Sequence, residues 1–342
     1  MSEKPRVVFV EVEAWERSFV EERAEAAGWD ARFFEEPAES LPDFERSGVE
    51  VLSCFIHSQV DCTLLDSCPK LRLVATRSTG VDHINFQDCR SRDVLVANVP
   101  HYGENTVAEH TLGLILCLAR NIPEAAERVR RGNVALEGLL GSDLSGKTLG
   151  VVGAGRIGLH VIRMGRAMNM RVLAYDVMPQ PLLGEVMGFE YVDLEQLLRE
   201  ADVVTIHCPL TPATHHLLDA EKLALMKPSA LLVNTARGGI VDSKALLEAL
   251  DEGRLAGAAL DVLEGERVIT EDSVLLRDDS VPLDELRLAV EAYQLMRHPR
   301  VIVTPHVAFY SREALHRILS TTIESIAAFL AGSPQNLVSP DS

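Results

Sequence analysis

The sequence predicts an α/β protein of two domains, each built around a mostly parallel sheet. The chain has 342 residues, 47% of them hydrophobic and 25% charged, which is the composition of a globular protein long enough for two cores. Strand-like and helix-like runs alternate through the first hundred residues. A second alternating stretch follows the helical run Asn105–Arg120.

The first hundred residues contain the elements of a small α/β domain. Arg6–Val12 is rich in β-branched residues, and the helical pattern of Trp15–Ala27 stops at Gly28. Further buried strands are expected at Val49–Ile56, Leu71–Thr76 and Val94–Ala97.

The second stretch predicts a larger sheet with clear helix signals between its strands. Asp242 can cap a helix that Gly253 ends, and Ser311–Ala331 places its apolar residues on one helical face. The expected strands are Thr148–Val152, Arg171–Tyr175, Val203–His207, Leu231–Asn234, Ala258–Asp261 and Val301–Thr304.

The segment Arg267–Pro299 does not fit the alternation. It is too long for a simple connection, and Asp284–Met296 inside it has a helical pattern. A lid, an oligomer contact and a plain surface excursion all agree with this sequence.

The charge of the chain excludes several classes of partner. A formal net charge of −18 argues against binding to nucleic acid or to an anionic membrane, because phosphate binding requires clustered Lys and Arg. No apolar run approaches the length of a membrane helix, and the acidic N-terminal residues do not resemble a signal peptide. We therefore expect a soluble, cytoplasmic protein.

The six cysteines do not indicate a metal or disulfide framework. None forms a C-x-x-C pair, and no two flank a His at zinc-ligand spacing, so reduced, apolar cysteines and no metal site are expected.

A glycine-rich turn follows the strand LGVV directly, and a helical pattern follows the turn to Met168. Gly153 allows the tight turn, Gly155 lets a pyrophosphate approach the backbone, and Gly158 lets the helix pack on the strand. The helix N-terminus then presents N–H groups to the phosphates. The next strand ends in Asp176, whose carboxylate can accept hydrogen bonds from the adenosine ribose and repel a 2′-phosphate. This pattern predicts an NAD site.

Three polar residues near strand ends could serve hydride transfer to a 2-keto acid. That reaction needs a cation for the carboxylate and the carbonyl, and a proton donor for the developing alkoxide. Arg237 follows the strand LLVN, and its fork of donors matches both oxygens. His306 also follows a strand, and Glu266 could hold it in its protonated form. Taken singly, such an Arg is often a surface salt-bridge former and such a His a packed or capping residue.

Several blocks occur in one order along almost the whole chain: RSTGVDHI, HYGENTVAEH, LSGKTLGVVGAGRIG, HCPLTPATHHLL, NTARGGIVD, GAALDVLEGE and VTPHVAFY. In this order the sequence resembles the D-isomer-specific 2-hydroxyacid dehydrogenase family. TPHVAFY, the Tyr of HYGEN and the long segment before the His are most similar to the D-lactate dehydrogenase branch.

The resemblance implies a role for each matching residue. Arg237 would bind the substrate carboxylate and carbonyl, His306 would be the general acid and base, and Glu266 would be its partner. The substrate would also meet Ser78, Thr79, Gly80, Val81, Tyr102 and Phe309. Besides the three glycines, the residues near NAD would be Thr106, Arg156, Ile157, Asp176, His207, Cys208, Pro209, Thr214, Thr235, Ala236, Arg237 and Asp261.

The resemblance also implies the architecture. A flavodoxin-like substrate domain would comprise residues 1–100 and be completed by 306–342, and a Rossmann-type dinucleotide-binding domain, 101–305, would be inserted between them. Homodimers would form mainly through the inserted domain.

The chain departs from the family pattern after the catalytic Glu. Most members have Pro there, whereas Arg267 follows Glu266, and the interval to His306 is longer than usual. Glu264 is therefore an alternative partner for the His.

Other functions remain open beside pyruvate/D-lactate interconversion. These are a reductase for glyoxylate, hydroxypyruvate or a bulkier keto acid and, from another class, an NADH-sensing scaffold of the co-repressor type. A phosphoglycerate dehydrogenase is disfavoured because no appended regulatory domain follows His306. A formate dehydrogenase would be expected to have Gln at the position of Glu266.

Overall fold

The computed structural model describes residues 4–265 and 283–338, and the chain falls into two compact units. The first unit comprises Met1–Tyr102 and Ser311–Ser342, and the second comprises Gly103–Tyr310. The sequence analysis placed the two boundaries near residues 101 and 305. Each unit is described by itself below.

The first unit contains a parallel five-stranded sheet in the order β2-β1-β3-β4-β5. This is the flavodoxin-like strand order, which confirms the predicted fold class. Its strands are β1 Arg6–Phe9, β2 Asp30–Phe33, β3 Val51–Cys54, β4 Leu73–Thr76 and β5 Leu95–Ala97. Its helices are α1 Ala14–Ala26, α2 Asp43–Arg46, α3 Cys62–Ser67, α4 Phe86–Ser91 and the C-terminal helix Arg312–Leu330.

Both faces of this first sheet are covered, because alternate residues of each strand point to opposite sides. Val7 and Phe9 of β1 join the core beneath α1 and the C-terminal helix. Val8 and Val10 join the core beneath α3 and α4. The predicted C-terminal helix is confirmed, with the hydroxyl of Ser311 accepting the first-turn N–H of Ala314.

The second unit contains a parallel seven-stranded sheet in the order β12-β11-β10-β9-β6-β7-β8. From β8 to β11 this is the Rossmann order, with β12 added at the edge. Its strands are β6 Thr148–Val152, β7 Arg171–Tyr175, β8 Glu190–Tyr191, β9 Val203–Ile206, β10 Leu231–Asn234, β11 Gly257–Leu260 and β12 Val301–Val303.

Helices cover both faces of the second sheet. They are α5 Glu104–Arg120, α6 Ile122–Arg130, α7 Arg156–Ala167, α8 Pro181–Met187, α9 Leu194–Glu200, α10 Ala220–Leu223, α11 Ser243–Asp251 and α12 Leu283–Arg297. Asp242 caps α11 as predicted, since its carboxylate accepts from the N–H of Ala245. The helix α12 confirms the pattern seen in the irregular segment, while residues 267–282 of that segment lie outside the described part of the chain.

Two strands were not predicted, and both are poor in buried apolar residues. The strand β2 reads Asp-Ala-Arg-Phe and lies at the sheet edge, where none of its residues is fully buried. The strand β8 has two residues and also lies at an edge. Periodicity cannot reveal strands that have so little to bury.

The six cysteines are free thiols, with Cys54, Cys68 and Cys89 buried. Within residues 4–265 and 283–338, none of the helices combines the length and apolarity needed to cross a bilayer.

Candidate active site

The carboxyl edge of the second sheet collects most of the predicted site residues. Along this edge, β12 leads to His306, β11 to Asp261, β10 to Arg237, β9 to His207, β6 to Gly153 and β7 to Asp176. Chain order reverses between β6 and β9, and ligands of open α/β sheets bind at such a point.

The turn after β6 fits a pyrophosphate. Gly153 has φ +95°, and a Cβ there would lie 2.7 Å from the backbone N of Cys208. A Cβ on Gly158 would lie 2.0 Å from the carbonyl oxygen of Gly153, whereas a Cβ on Gly155 would meet nothing within 4 Å. Two glycines therefore allow close packing of backbone, and the third faces the open space that a phosphate requires.

The helix α7 begins at Arg156, with Gly155 at its N-cap position. Because glycine has no side chain to cap the helix, the first-turn N–H groups can bind an anion. The guanidinium of Arg156 is exposed and lies 3.7 Å from the carboxylate of Glu104. Ile157 packs partly on the core beneath the sheet.

The carboxylate of Asp176 joins the end of β7 to the glycine turn. Its Oδ2 accepts from the N–H of Ala154 at 2.8 Å, and its Oδ1 accepts from the N–H of Met178 at 2.9 Å. Each carboxylate oxygen has further acceptor capacity, so the side chain can still accept from a ribose hydroxyl. Asp176 therefore fixes the glycine turn and keeps acceptor capacity for a further donor.

The side chains that follow β9 carry no charge at neutral pH. Burial lowers the pKa of His207 to about 3, and its Nε2 lies 2.9 Å from the hydroxyl of Thr205. Burial also raises the pKa of the Cys208 thiol to about 11. At neutral pH the imidazole and the thiol are both uncharged, and neither supplies a cation for the phosphates. The hydroxyl of Thr214 donates to the carbonyl of Pro209 at 2.6 Å and closes the following turn.

The turn that carries Arg237 is fixed by its neighbours. The amide of Asn234 donates to the carbonyl of Arg237 at 2.9 Å and accepts from the N–H of Ala236 at 3.0 Å. A Cβ on Gly238 would lie 2.1 Å from the backbone of Leu263, so the chain must pass closely there. The half-buried guanidinium is therefore displayed from a rigid backbone, as bidentate recognition requires.

The hydroxyl of Thr235, next to this turn, lies 2.9 Å from the hydroxyl of Thr111 on α5. Thr106 is half-buried on the same helix.

Asp261 organises the loop that carries His306. Its buried carboxylate accepts from the N–H of Val307 at 3.0 Å and of Ala308 at 2.9 Å. It also accepts from the hydroxyl of Thr304. The sequence analysis placed Asp261 near NAD; the structure shows that both carboxylate oxygens also hold this loop.

His306 lies in the left-handed region, with φ +51°. Its N–H donates to the carbonyls of Asp261 and Thr304, each at 2.9 Å. This conformation is costly for a residue with a Cβ and persists where the surroundings impose it, which is typical of functional positions. The ring of Phe309 stands nearly perpendicular to the imidazole, with centroids 6.3 Å apart.

Of the two glutamates predicted as partners of His306, only Glu264 lies in the described part of the chain. Glu266 lies outside the described residues. The carboxylate of Glu264 is 2.7 Å from Nε2 of His216 and 3.8 Å from Nε2 of His215. The structure thus pairs Glu264 with two other histidines, which weakens the alternative that it serves His306.

The predicted anion turn of the first unit, Ser78–Val81, follows β4. The hydroxyl of Ser78 donates to the carbonyl of Gly80 at 2.6 Å, and that of Thr79 donates to the carbonyl of Val99 at 2.7 Å. Among the described residues, the backbone N–H groups of Thr79, Gly80 and Val81 donate no hydrogen bond. A turn of this kind can bind a carboxylate. Tyr102 is the last residue of this unit, and its carbonyl accepts from Nε of Arg317.

A family model described as "D-isomer specific 2-hydroxyacid dehydrogenase, NAD binding domain" matches residues 112–308. The matched segment exceeds half of the chain and lies within the second unit. The chain belongs to the D-isomer-specific 2-hydroxyacid dehydrogenase family.

Relatives within this family have different substrates in their names. A glyoxylate reductase of Korarchaeum cryptofilum is 36% identical over 346 residues, covering 99% of this chain and 97% of the relative. An aromatic 2-oxoacid reductase of Clostridium sporogenes is 38% identical over 271 residues, covering 78% of each. The crystal structure of a D-lactate dehydrogenase from Aquifex aeolicus, complexed with NAD and lactic acid, has a TM-score of 0.84 and 34% identity, covering 96% of each chain.

This D-2-hydroxyacid dehydrogenase is therefore an NAD-dependent oxidoreductase, as the glycine turn and Asp176 predicted.

The sequence analysis missed the residues that position its predicted catalytic groups. The amide of Asn234 donates to the carbonyl of Arg237 and holds that turn. Nε2 of His110 lies 3.5 Å from the carboxylate of Asp261. A strand-terminal Asn before a glycine-rich turn is a weak signal, and His110 is separated from Asp261 by much of the chain.

Proposed function

We propose that the enzyme interconverts pyruvate and D-lactate. The observation that carries the proposal is the arrangement at one sheet edge. Arg237 and His306 lie on rigid loops after β10 and β12, and the aromatic ring of Phe309 stands against His306. These residues supply a carboxylate-binding cation, a proton donor and an apolar wall that suits a small side chain.

When bound, NADH supplies the hydride that reduces the carbonyl carbon. The guanidinium of Arg237 binds the substrate carboxylate and polarises the carbonyl oxygen through two of its N–H groups. As charge develops on that oxygen, the imidazolium of His306 donates its ring proton and gives the hydroxyl group. In the oxidative direction the neutral imidazole accepts the same proton.

The glycine turn, α7 and Asp176 hold the cofactor. The N–H groups of the first turn of α7 bind the pyrophosphate, and Asp176 accepts from the adenosine ribose. The negative charge of Asp176 disfavours a 2′-phosphate, so we propose a preference for NADH over NADPH.

The variant Asp176→Asn tests this preference, because it keeps the shape of the side chain and removes its charge. We expect the kcat/KM ratio of NADPH to NADH to rise by about tenfold or more, which is ~1.4 kcal/mol. Asn can accept only one of the two hydrogen bonds that Asp176 accepts from the N–H groups of Ala154 and Met178. The thermal melting temperature of the variant therefore checks whether the glycine turn is destabilised. An unchanged cofactor ratio, or wild-type protein that already prefers NADPH, would contradict the assignment.

The aromatic ring of Phe309 favours a methyl group at the substrate side chain. Its centroid is 6.3 Å from that of His306. If the ring lines the substrate side chain, as the family resemblance implies, a bulky group there would be crowded. Each methylene of difference is worth about 1–3 kcal/mol in such a pocket. Pyruvate is therefore expected to be reduced faster than 2-ketoisocaproate or phenylpyruvate.

The variant Phe309→Ala should raise the kcat/KM ratio of phenylpyruvate to pyruvate by about tenfold, because it opens the wall. Phe309→Leu keeps most of the volume and should change the ratio much less. Steady-state kinetics with both keto acids measure this. If the ratio of kcat/KM for phenylpyruvate to that for pyruvate is the same in Phe309→Ala and the wild type, Phe309 does not contact the substrate.

A reductase for glyoxylate is the second candidate, because the relative from Korarchaeum cryptofilum that carries this name aligns with 99% of the chain. A panel of glyoxylate, hydroxypyruvate, pyruvate and phenylpyruvate with NADH distinguishes the substrates by kcat/KM. An NADH-sensing scaffold would bind NADH and turn over none of them.

We also propose a homodimer formed through the second unit. The helix α6 buries none of its residues, and an apolar surface follows it. Leu136 is 84% exposed and Leu140 is 93% exposed, with Ile122, Val129 and Val134 also exposed nearby in the sequence. Exposed apolar side chains in such number mark an interaction surface.

The double variant Leu136→Asp/Leu140→Asp should shift the protein from dimer to monomer in size-exclusion chromatography with light scattering. The wild type should have twice the chain mass of 37.5 kDa. Phe44→Asp, at an exposed apolar residue of the first unit, is the control that should stay dimeric. A wild-type monomer, or a double variant that remains dimeric, would contradict the proposed interface.

A further inference from the structure

Two adjacent histidines and a glutamate form a cluster of possible metal ligands that contains neither Arg237 nor His306. Candidate ligand atoms of His215, His216 and Glu264 all lie within 4.8 Å of one another. Nε2 of His216 is 2.7 Å from Oε1 of Glu264, and Nε2 of His215 is 3.8 Å from the same oxygen. The two imidazole rings stack with centroids 4.0 Å apart.

The spacing of this cluster suits a four-coordinate divalent cation. Zinc binds imidazole nitrogen and carboxylate oxygen at about 2.0–2.1 Å, so two ligands of a tetrahedron are about 3.3 Å apart. The distances of 2.7 and 3.8 Å bracket that value. Small side-chain rotations that move the ligand atoms by about half an ångström would bring both nitrogen–oxygen distances to the value expected around a zinc ion.

The surroundings of the cluster suit a metal ion. Without a metal, the 2.7 Å contact with Glu264 places the hydrogen-bonding proton on Nε2 of His216. The carboxylate of Asp242, 3.9 Å from Nδ1, stabilises the Nδ1–H tautomer that a metal ion on Nε2 requires. The side chain of Glu264 is 10% exposed, whereas that of His215 is 54% exposed. The site therefore combines a largely buried anionic ligand with an open side toward solvent, where water can complete the coordination.

The cluster is joined to the turn that carries Arg237. The N–H of His216 donates to the carbonyl of Gly239 at 2.8 Å, and the N–H of Leu218 donates to the carbonyl of Ile240 at 3.1 Å. An ion held by His215, His216 and Glu264 would thus tie this turn to the chain that follows β11.

We propose that His215, His216 and Glu264 form a binding site for a divalent transition-metal ion, with Zn²⁺ as the fitting example. The two imidazoles and one carboxylate are the ligands, and solvent fills the remaining position. The metal takes the place of the hydrogen bond between Nε2 of His216 and Glu264, and the proton of the neutral imidazole lies on Nδ1. The proposed site uses none of the residues assigned to NAD, and its test does not depend on the proposed substrate.

Chelator-treated protein is titrated with Zn²⁺ by calorimetry and with Co²⁺ by visible absorption. We expect one equivalent of tight binding, and Co²⁺ bands with the intensity of four-coordinate rather than octahedral geometry. His215→Asn changes an exposed side chain and should weaken binding at least about tenfold, as should Asp242→Asn through orientation of His216. His57→Asn, at an exposed histidine of the first unit, should leave the affinity unchanged.

Thermal melting gives an independent measure, because a ligand of the folded state raises the melting temperature. Zn²⁺ should raise it for the wild type and His57→Asn, and not for His215→Asn. Circular dichroism without metal verifies that the variants are folded. Absence of stoichiometric Zn²⁺ binding to the wild type, or equal binding by His215→Asn, would overturn the proposal.

Discussion

Replacement of His306 by Gln should lower kcat for pyruvate reduction by about a hundredfold to ten-thousandfold, the range of a positioned proton donor. Gln can donate a hydrogen bond but cannot transfer a proton to the alkoxide. Oxidation of D-lactate should fall by a similar factor, because the same ring accepts the proton in that direction. Affinity for NADH, measured by fluorescence titration, should stay within a few-fold of the wild type.

The matched control is His298→Gln, because His298 also belongs to the second unit and also lies near a carboxylate, 3.5 Å from Asp251. Its kcat should be that of the wild type. Near-normal kcat in His306→Gln would show that His306 is not the proton donor. A fall in reduction alone, with oxidation unchanged, would contradict a shared proton donor and acceptor.

The variant Arg237→Lys should lower kcat/KM for pyruvate at least about a hundredfold, roughly 2.7 kcal/mol of transition-state stabilisation. Lysine keeps the positive charge but loses the planar fork that matches the carboxylate and the adjacent carbonyl. The backbone should not move, because Asn234 and the close packing at Gly238 hold the turn. Affinity for NADH should be nearly unchanged.

Arg254→Lys provides the control for this substitution. Arg254 is half-buried and pairs with Glu252 at 2.6 Å in the same unit, so the exchange should leave kcat/KM unchanged. Added guanidinium ions should partly restore activity to Arg237→Ala and not to Arg237→Lys, whose ammonium group fills the site. Wild-type kinetics in Arg237→Lys would contradict bidentate recognition of the substrate.

The nucleotide-binding part of the fold was predictable because its requirements are local. Gly153 and Gly155 lie in the turn between β6 and α7, and Gly158 lies in the first turn of α7. Gly153 and Gly158 allow close backbone packing, and Gly155 leaves open space. The central strands were also predictable, since apolar runs such as Val203–Ile206 are buried on both faces of a parallel sheet.

The connections within the candidate site were not predictable, because they join residues far apart in the sequence. Asp261 lies 45 residues before His306 and holds its loop through the N–H groups of Val307 and Ala308. Glu264 lies near Glu266 in the sequence, yet its carboxylate contacts His216, 48 residues earlier. Spacing along the chain shows which residues have suitable chemistry, and tertiary packing decides which partner each one has.

The stereochemistry of pyruvate reduction tests the account most directly. The purified enzyme is incubated with pyruvate and NADH, NADH oxidation is followed by absorbance, and the product is resolved by chiral chromatography. The account predicts D-lactate in equimolar amount to the NADH consumed, with a kcat/KM for pyruvate above those for glyoxylate and phenylpyruvate. Formation of L-lactate, or binding of NADH without reduction of any 2-keto acid tested, would contradict it.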